Sequence, residues 1–218
     1  RQWLVRFTNS PIKAVLSGIG LTVVVQSSTA TTLATIGFVS AGVLSFSHAI
    51  GVIIGANIGT TSTGWMVALL GLKFSISSFA LPLIGVGALL KLLGKEKVAF
   101  IGLTLAGFGL LFLGIQFLQD AMSGVAQLID LSRWAEPTFV MKLILVIVGV
   151  LMTILLQSSS AAITTTLAAL STQTINLEQT LALVIGQNVG TVATAILAAI
   201  GATTSAKRTA AVHVIFNI

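Results

Sequence analysis

The sequence contains no cysteine and very little charge. Its 218 residues include eleven lysines and arginines and five acidic residues, so only 7% of the side chains are charged. The missing thiols exclude disulfides, iron–sulfur clusters and thiolate catalysis. A soluble domain of this length needs far more polar side chains to cover its surface. The scarcity of charge therefore indicates a chain that is surrounded largely by lipid.

Apolar residues make up 56% of the chain, and the mean hydropathy is +1.08. No Asp, Glu, Lys or Arg occurs from Ala14 to Leu72, and Glu178 is the only one from Leu143 to Ala206. A membrane-spanning helix needs about 20 apolar residues, so each run accommodates several spans. The net charge of +6 comes from basic residues scattered between apolar segments. That pattern is typical of topology signals and argues against a nucleic-acid partner.

Two polar motifs occur twice. The run QSSTA at 26–30 returns as QSSSA at 157–161, and GANIGT at 55–60 returns as GQNVGT at 186–191. Each pair is 131 positions apart, and one gapless alignment covers about 60 residues of each half. The same offset relates two further pairs, Gly18 with Gly149 and Thr22 with Thr153. Because the matches are polar and glycine positions, they indicate an internal duplication.

The stretch from Phe139 to Leu170 is too long for one span. Its 32 residues would make a straight helix of about 48 Å, against roughly 30 Å of hydrocarbon. The polar motif lies in its middle, so we predict a re-entrant hairpin of two half-helices that turns at the motif. Irregular backbone at membrane depth is tolerated only where protein or a water-filled cavity covers it.

The predicted fold class is an all-α polytopic membrane protein with two inverted-topology repeats, each with a re-entrant helical hairpin and a broken transmembrane helix. Inversion follows if the hairpins do not cross the membrane, because three crossings then separate the two copies. The first repeat is residues 1–72, with its hairpin at about 11–38 and its broken helix at about 46–72. Residues 73–136 hold two connecting transmembrane helices, at about 76–91 and 98–118, and an extracytoplasmic segment. The second repeat is 137–218, with its hairpin at about 139–170 and its broken helix at about 179–205.

Basic residues agree with this topology without proving it. Eight of the eleven share one side, which the positive-inside rule makes cytoplasmic, but treating the hairpins as ordinary spans again gives eight against three. The eight are Arg1, Arg6, Lys13, Lys91, Lys95, Lys97, Lys207 and Arg208. Because the chain starts with Arg1 and stops at Ile218 inside an apolar run, we expect the complete protein to extend at both ends, with the second repeat truncated at its C-terminal end.

The duplicated motifs offer hydroxyls, carboxamides and, where glycine unwinds a helix, free backbone groups. These are oxygen ligands for a hard cation and hydrogen-bond donors for an oxyanion. The outgoing half of each hairpin, from Ser27 and from Ser158, would present its positive N-terminal end to an anion. The repeat cores hold no Lys or Arg to neutralise a buried anion, so such a substrate would need co-bound cations.

The motifs resemble the repeat of the type II sodium-dependent phosphate cotransporter family, whose signature is a QSSS run in each half with a Gly-x-Asn-x-Gly-Thr run. Here they read QSSTATT with GANIGTT, and QSSSAAI with GQNVGTV, with 31 positions from Gln to Asn in both halves. Residues 107–122 and 208–217 also resemble that family. The resemblance implies sodium-driven phosphate transport by alternating access, with Na⁺ as coupling ion, no other cofactor and no enzymatic activity, in a plasma membrane or bacterial inner membrane.

The resemblance also implies site residues by motif position. For phosphate they are Gln26, Ser27, Ser28, Thr29, Gln157, Ser158, Ser159 and Ser160. For sodium they are Asn57, Thr60, Thr61, Asn188 and Thr191. Val192 stands where the first copy has Thr61, so the two sites are not equivalent. The implied partners are inorganic phosphate, sodium ions and the lipid bilayer, and an oligomer is also possible.

Two other functions fit the same composition, namely a passive anion channel and a non-transporting membrane scaffold. A channel would conduct without a sodium gradient, and a scaffold would tolerate replacement of Gln26 and Gln157. A serine hydrolase needs a His or Lys base beside the serine, and neither motif has one nearby in sequence. We expect Glu178 to cap a helix and His48 to lie at the membrane interface.

Overall fold

A computed structural model describes residues 8, 10–69, 79–128 and 138–218, with the backbone alone at 125–128. Across these residues the chain is helical and contains no strand. The helices are α1 (Pro11–Val25), α2 (Ser28–Ser40), α3 (Phe46–Met66), α4 (Ala80–Leu93), α5 (Glu96–Leu128), α6 (Phe139–Leu156), α7 (Ser159–Ser171), α8 (Leu177–Gly190), α9 (Val192–Ala199) and α10 (Thr204–Asn217). Some predictions concern residues outside this description. They are the predictions on Arg1 and Arg6, on residues 70–78, and on residues 129–137 with the extracytoplasmic segment.

Within the part of the chain that the structure describes, four helical stretches are long and apolar enough to cross a membrane. They are Phe46–Leu69, Glu96–Gly124, Phe139–Leu156 and Leu177–Ala199. Side chains on the outside of the helices are apolar as well, since Val24, Leu92 and Leu155 are each about four-fifths exposed. Surfaces of this kind are unfavourable in water and ordinary in lipid. The prediction of an all-helical, multi-pass membrane protein is confirmed.

Glycines bring helices into backbone contact in the same way in both copies. Gly18 on α1 lies against the carbonyl of Val52 on α3, and a Cβ added at Gly18 would overlap that oxygen. Gly149 on α6 lies in the same way against the carbonyl of Leu183 on α8. Small residues allow this close approach of membrane helices. Since both pairs are 131 positions apart, the duplication in the sequence is a duplication in packing.

The glycine and asparagine motif does not interrupt the first long helix. The helix α3 passes through Gly55 and Gly59 without a break, so the predicted broken helix is wrong in the first copy. The polar side chains bond to their own helix instead, Asn57 to the carbonyl of Ile53 at 3.3 Å and Thr60 to that of Ala56 at 3.0 Å. These bonds satisfy the side chains without unwinding the backbone.

In the second copy the same motif contains a one-residue interruption. The helix α8 ends at Gly190 and α9 starts at Val192, with Thr191 between them. The N–H of Thr191 donates to the carbonyl of Asn188 at 3.2 Å, three residues back. This tighter bond marks a local departure from α-helical geometry, which in helices often marks a functional position.

The chain divides into two compact units. The first unit is Arg1–Gly64, Pro137–Ile163 and Leu181–Ile218, and therefore holds both copies of both motifs. Its apolar core joins α2 and α3 of the first copy to α9 and α10 of the second. The residues of that core are Ile36, Val39, Leu44, Ala49, Ala195, Ala206 and Ala210.

The second unit is Trp65–Glu136 and Thr164–Thr180. Its core is built by Val67, Ala80, Phe112 and Ile115. Within it α4 packs against α5 through glycines, as when Gly87 lies against the backbone of Ala106. A hydrogen bond of 3.1 Å from Thr174 to the carbonyl of Met122 ties the loop after α7 to α5. The predicted connecting helices at about 76–91 and 98–118 correspond to α4 and α5 in their described parts.

Candidate substrate and ion site

The two glutamine motifs form the same backbone turn. Gln26, which ends α1, has φ 55° and ψ 29°, and Gln157, which ends α6, has φ 51° and ψ 24°. This left-handed conformation costs an L-residue roughly 1–2 kcal/mol, and glycine normally occupies it. A non-glycine residue held there in both copies is a constraint of the kind found at functional sites. The backbone therefore turns at the glutamine of each motif, and the sequence does not reveal the strain of that turn.

A serine starts the next helix directly after each turn. The hydroxyl of Ser27 accepts a hydrogen bond from the N–H of Ala30 at 3.1 Å, and that of Ser158 accepts from Ala161 at 3.2 Å. These are N-cap bonds, which leave the hydroxyl hydrogen free to donate to a ligand. The α2 and α7 N-termini, with their positive dipole ends, therefore begin inside the two motifs.

Burial within each motif follows one pattern. Gln26 and Gln157 are exposed, whereas Ser28 and Ser159 are buried at 8% and 6% exposure. Thr29 and Ser160, the last predicted phosphate residues of the two runs, are both half-buried. Corresponding side chains of the two motifs therefore have similar solvent exposure, as expected if both motifs contribute equivalent groups to one binding site.

The first hairpin folds back on itself. Thr22 donates its hydroxyl to that of Thr31 at 3.1 Å, although nine residues of straight helix would separate them by about 13.5 Å. In the second copy Ala162 stands in place of Thr31, and the hydroxyl of Thr153 is buried with no hydrogen-bond partner in the described structure. The second hairpin thus holds one unused buried oxygen.

The two motifs meet at one threonine. Thr63, on α3, donates its hydroxyl to the carboxamide oxygen of Gln26 at 2.9 Å. The hydroxyl of Ser160 lies 3.5 Å from the hydroxyl of Thr63, at the outer limit of hydrogen bonding. Residues of both motifs, more than 130 positions apart in sequence, are therefore connected through a single side chain.

A second connection is a cavity of about 40 Å³. Thr29 reaches it from the first motif, and Gln157 and Ser159 reach it from the second. A cavity needs about 10–15 Å³ to hold a water, so this one accommodates an ion-sized guest. The remaining lining residues are Thr153, Ile154, Gly190, Thr191, Ala193, Thr194 and Leu197.

The predicted sodium residues fall into two groups. Thr191 lines the cavity beside Gln157, and its hydroxyl donates to the carbonyl of Asn188 at 2.6 Å. The side chain of Asn188 is exposed. In the first copy α3 is continuous, and Thr61 donates to the carbonyl of Ile58 at 2.7 Å. Asn57 and Thr60 likewise donate to carbonyls of the same helix. The structure therefore brings Thr191 to the glutamine motif and leaves the first-copy residues on an intact helix.

Sequence reasoning missed Thr63 and Thr194. Both lie three residues beyond the aligned motifs, and they are themselves 131 positions apart. Thr194 lines the cavity and donates to the carbonyl of Thr191 at 3.1 Å. Comparing the two copies for three residues past the motifs would have found the pair.

The site is made of neutral oxygen and nitrogen groups. Within the described part of the chain, no group of three or more His, Cys, Asp or Glu side chains could hold a metal ion. Hydroxyl, carboxamide and carbonyl oxygens are ligands for hard cations rather than for transition metals. The chemistry of the site therefore suits an alkali cation and a hydrogen-bonding anion.

Comparison with known proteins identifies the class. The Na⁺/Pi-cotransporter family profile matches residues 1–120 and 127–218. The chain belongs to this family, and the resemblance drawn from the paired motifs is confirmed.

Three relatives illustrate the similarity. The uncharacterized protein YqeW of Bacillus subtilis (strain 168) is 34% identical over 224 residues, which cover 99% of this chain and 68% of YqeW. YjbB of Escherichia coli (strain K12), provisionally named an inorganic phosphate export protein, is 28% identical over 206 residues, 94% of this chain and 37% of YjbB. Sodium-dependent phosphate transport protein 2A of Ovis aries is 44% identical over 62 residues, 28% of this chain and 10% of that protein.

The chain is thus shorter than the relatives that it matches, spanning about two thirds of YqeW and little more than a third of YjbB. No solved structure matches the chain.

Proposed function

We propose that this chain forms the core of a secondary transporter that moves inorganic phosphate across the membrane, coupled to sodium ions, by alternating access. The observation that carries the proposal is the convergence of the two glutamine motifs through Thr63. A packing role for either motif alone would not require residues of both to meet. The family of the chain and the names of its relatives YjbB and protein 2A support phosphate as the substrate.

In this proposal phosphate binds where the two motifs meet. Two helix N-termini begin there, each offering backbone N–H groups and a positive dipole end. Gln26 and Gln157 add exposed carboxamides that donate hydrogen bonds to phosphate oxygens. The other ligands proposed are the motif hydroxyls, those of Ser27, Ser28, Thr29, Ser158, Ser159 and Ser160.

The main sodium site is proposed to be the cavity of the second copy. Gln157, Thr191 and Thr194 are among its lining residues, and Thr153 holds the unused buried hydroxyl, so in the sodium-bound state these side chains are proposed to turn their oxygens toward the ion. The long uncharged runs around both motifs hold no Lys or Arg that could balance a divalent anion. An uncompensated buried charge is prohibitively unfavourable, so phosphate would bind together with its cations. Asn57, Thr60, Thr61 and Asn188 are proposed as sodium ligands in other states of the transport cycle.

The transport mechanism needs a site that opens to each side in turn. We propose that the hairpins α1–α2 and α6–α7 are re-entrant and that the two copies have inverted topology, as in other transporters with midplane sites. The 18 residues of α6 suffice by length for a crossing, so the hairpin turn at Gln157 and not helix length supports the re-entrant form. The membrane would be a plasma membrane or a bacterial inner membrane.

Phosphate flux in proteoliposomes tests the function. With the intact protein reconstituted, we expect uptake of radiolabelled phosphate to saturate with phosphate concentration and to require an inward sodium gradient. Replacing sodium by potassium at equal ionic strength should reduce uptake to the level of protein-free liposomes, because the site has no fixed positive charge. Flux that does not saturate and ignores sodium would favour an anion channel, and no flux above protein-free liposomes would favour a scaffold.

The sodium cavity is tested at Thr194. Thr194→Val keeps the shape of the side chain and removes one wall hydroxyl, so we expect the sodium concentration for half-maximal uptake to rise about three- to tenfold, as for one lost ligand hydrogen bond. The matched control is Thr104→Val on α5, whose hydroxyl also bonds to its own helix, at 2.9 Å from the carbonyl of Phe100. Equal sodium dependence in the two variants would exclude Thr194 from the sodium site.

A further inference from the structure

We propose that Gln187 is a positioning residue that holds the second hairpin by a bond of its own, and that it thereby releases the hydroxyl of Thr153 to bind sodium. Gln187 lies on α8 and is fully buried. Its Nε2 donates to the carbonyl of Ala162 on α7 at 3.2 Å. The inference rests on the proposed function and deepens it, because it assigns one ligand of the sodium cavity and the reason why that ligand is available.

The two copies have the same backbone packing around this position. A Cβ added at Gly18 would lie 3.0 Å from the backbone nitrogen of Ala56. One added at Gly149 would lie at the same distance, 3.0 Å, from that of Gln187. Since Ala56 and Gln187 are 131 positions apart, they occupy corresponding places against the first helix of each hairpin. A difference between their hydrogen bonds therefore comes from the side chains and not from a different arrangement of helices.

The two hairpins are held by different bonds. In the first copy the hydroxyl of Thr22 donates to that of Thr31 at 3.1 Å, which in turn donates to the carbonyl of Ser27 at 3.1 Å. In the second copy Ala162 stands at the position of Thr31 and carries no hydroxyl. The amide of Gln187 bonds to the carbonyl of Ala162 instead. The bond that holds the outgoing helix therefore comes from the hairpin itself in the first copy and from α8 in the second.

This difference leaves the hydroxyl of Thr153 unused. Thr153 corresponds to Thr22, is 3% exposed, and its Oγ1 has no hydrogen-bond partner in the described part of the structure. It also lines the cavity of about 40 Å³, together with Gln157 and Thr191. A buried hydroxyl without a partner is unfavourable, and its oxygen has two lone pairs for a cation. Rotation about one side-chain bond orients it, so a sodium ion in the cavity would satisfy it.

Valine substitutions at the two equivalent threonines test this assignment. Thr153→Val removes a hydroxyl that has no partner, so the unfolding temperature in detergent with potassium alone should not fall. The sodium concentration for half-maximal phosphate uptake should rise about three- to tenfold, as for one lost ligand. Thr22→Val, the matched control, breaks the bond to Thr31 and should lower the unfolding temperature. Its sodium dependence should stay within about twofold of the wild type, because the lost bond lies outside the cavity.

The role of Gln187 is tested by giving the second hairpin the bond of the first. Gln187→Ala alone should lower the unfolding temperature. Adding Ala162→Thr supplies a hydroxyl partner for Thr153 and should restore most of the lost stability. The half-saturating sodium concentration of this double variant should nevertheless remain about three- to tenfold above the wild type, because the hydroxyl of Thr153 is now bound within the hairpin. Recovery of both quantities would show a purely structural role for Gln187, and recovery of neither would show that the two bonds are not equivalent; each result would overturn the inference.

Sodium binding gives a readout that needs no transport. Replacing potassium by sodium should raise the unfolding temperature of the intact wild-type protein, since a ligand of the native state stabilises it. The rise should be smaller in Thr153→Val and in the double variant, and unchanged in Thr22→Val. This pattern without sodium-driven phosphate uptake by the wild type would keep the sodium ligand and reject the proposed function. Sodium-driven uptake with equal sodium dependence in Thr153→Val and Thr22→Val would keep the proposed function and overturn this inference.

Discussion

Replacing Gln26 or Gln157 by glycine is expected to reduce phosphate uptake at least tenfold at subsaturating phosphate. Both glutamines hold the left-handed backbone of a hairpin turn, a conformation that glycine adopts without strain. The glycine variants therefore keep the turn while they remove the carboxamide, together with the bonds that Gln26 makes to Thr63 and to the carbonyl of Val23. Glycine also relieves the left-handed strain, which alanine would retain as glutamine does. A hydrogen bond to a charged group contributes about 1.5–3 kcal/mol, which corresponds to roughly 10- to 150-fold in binding. Initial rates of sodium-driven uptake in proteoliposomes measure the effect.

The chain supplies a matched control for this experiment. Gln173, in the loop after α7, has φ 57° and is exposed, but it belongs to neither motif. Gln173→Gly makes the same chemical change at the same backbone conformation, and uptake should stay within about twofold of the wild type because exposed substitutions away from a site have little effect. Wild-type uptake in Gln26→Gly and Gln157→Gly would show that phosphate does not bind at the motifs.

The turns at the two motifs could be predicted from the sequence because polar side chains are unfavourable in the apolar environment that the flanking residues require. A polar run such as Gln157 to Ser160 cannot face lipid in the middle of a long apolar stretch, so the chain must turn or cover it. The 131-residue offset then predicts the same turn at Gln26. Neither step depends on how the rest of the chain packs, and the structure contains both turns.

The sequence could not decide whether the long helix of the first copy is broken at its glycine and asparagine motif. Glycine can unwind a helix or let another helix approach, and the sequence does not distinguish the two uses. Gly55 serves packing, since a Cβ there would overlap the carbonyl of Val15 on α1. Asn57 and Thr60 bond to their own helix, so nothing forces α3 to open. The outcome depends on a tertiary contact that the motif does not record.

The connections between the copies depend on tertiary structure as well. Thr63 contacts Gln26 and Ser160, and His213 contacts Asn57 from 156 positions away. No periodicity or spacing in the sequence predicts a contact of this range. The repeat alignment could have singled out Thr63 through its match with Thr194, whereas the described residues of the first copy offer no counterpart for His213.

The glycine contacts between helices predict a large loss of stability. Gly18→Ala would drive a Cβ into the carbonyl of Val52, and overpacking of this kind costs about 1–3 kcal/mol or more. Alanine itself favours a helix over glycine by up to about 1 kcal/mol. The steric cost exceeds that gain because the atoms that the Cβ would meet belong to the backbone of α3, which cannot rotate away as a side chain can. We therefore expect Gly18→Ala to lower the apparent thermal unfolding temperature in detergent by several degrees.

Gly20, two residues along the same helix, is the matched control. A Cβ there would meet no atom within 4 Å, so Gly20→Ala should leave the unfolding temperature unchanged or raise it slightly through helix propensity. Because Gly149 makes the corresponding contact with Leu183 in the second copy, Gly149→Ala should lower the temperature by a similar amount. Equal stability of Gly18→Ala and Gly20→Ala would mean that α1 does not pack closely on α3. That outcome would contradict the contact that brings Gly59 next to Thr22, at the base of the first hairpin turn. An unchanged unfolding temperature in Gly149→Ala would contradict the corresponding contact of Gly190 with Thr153 in the second copy.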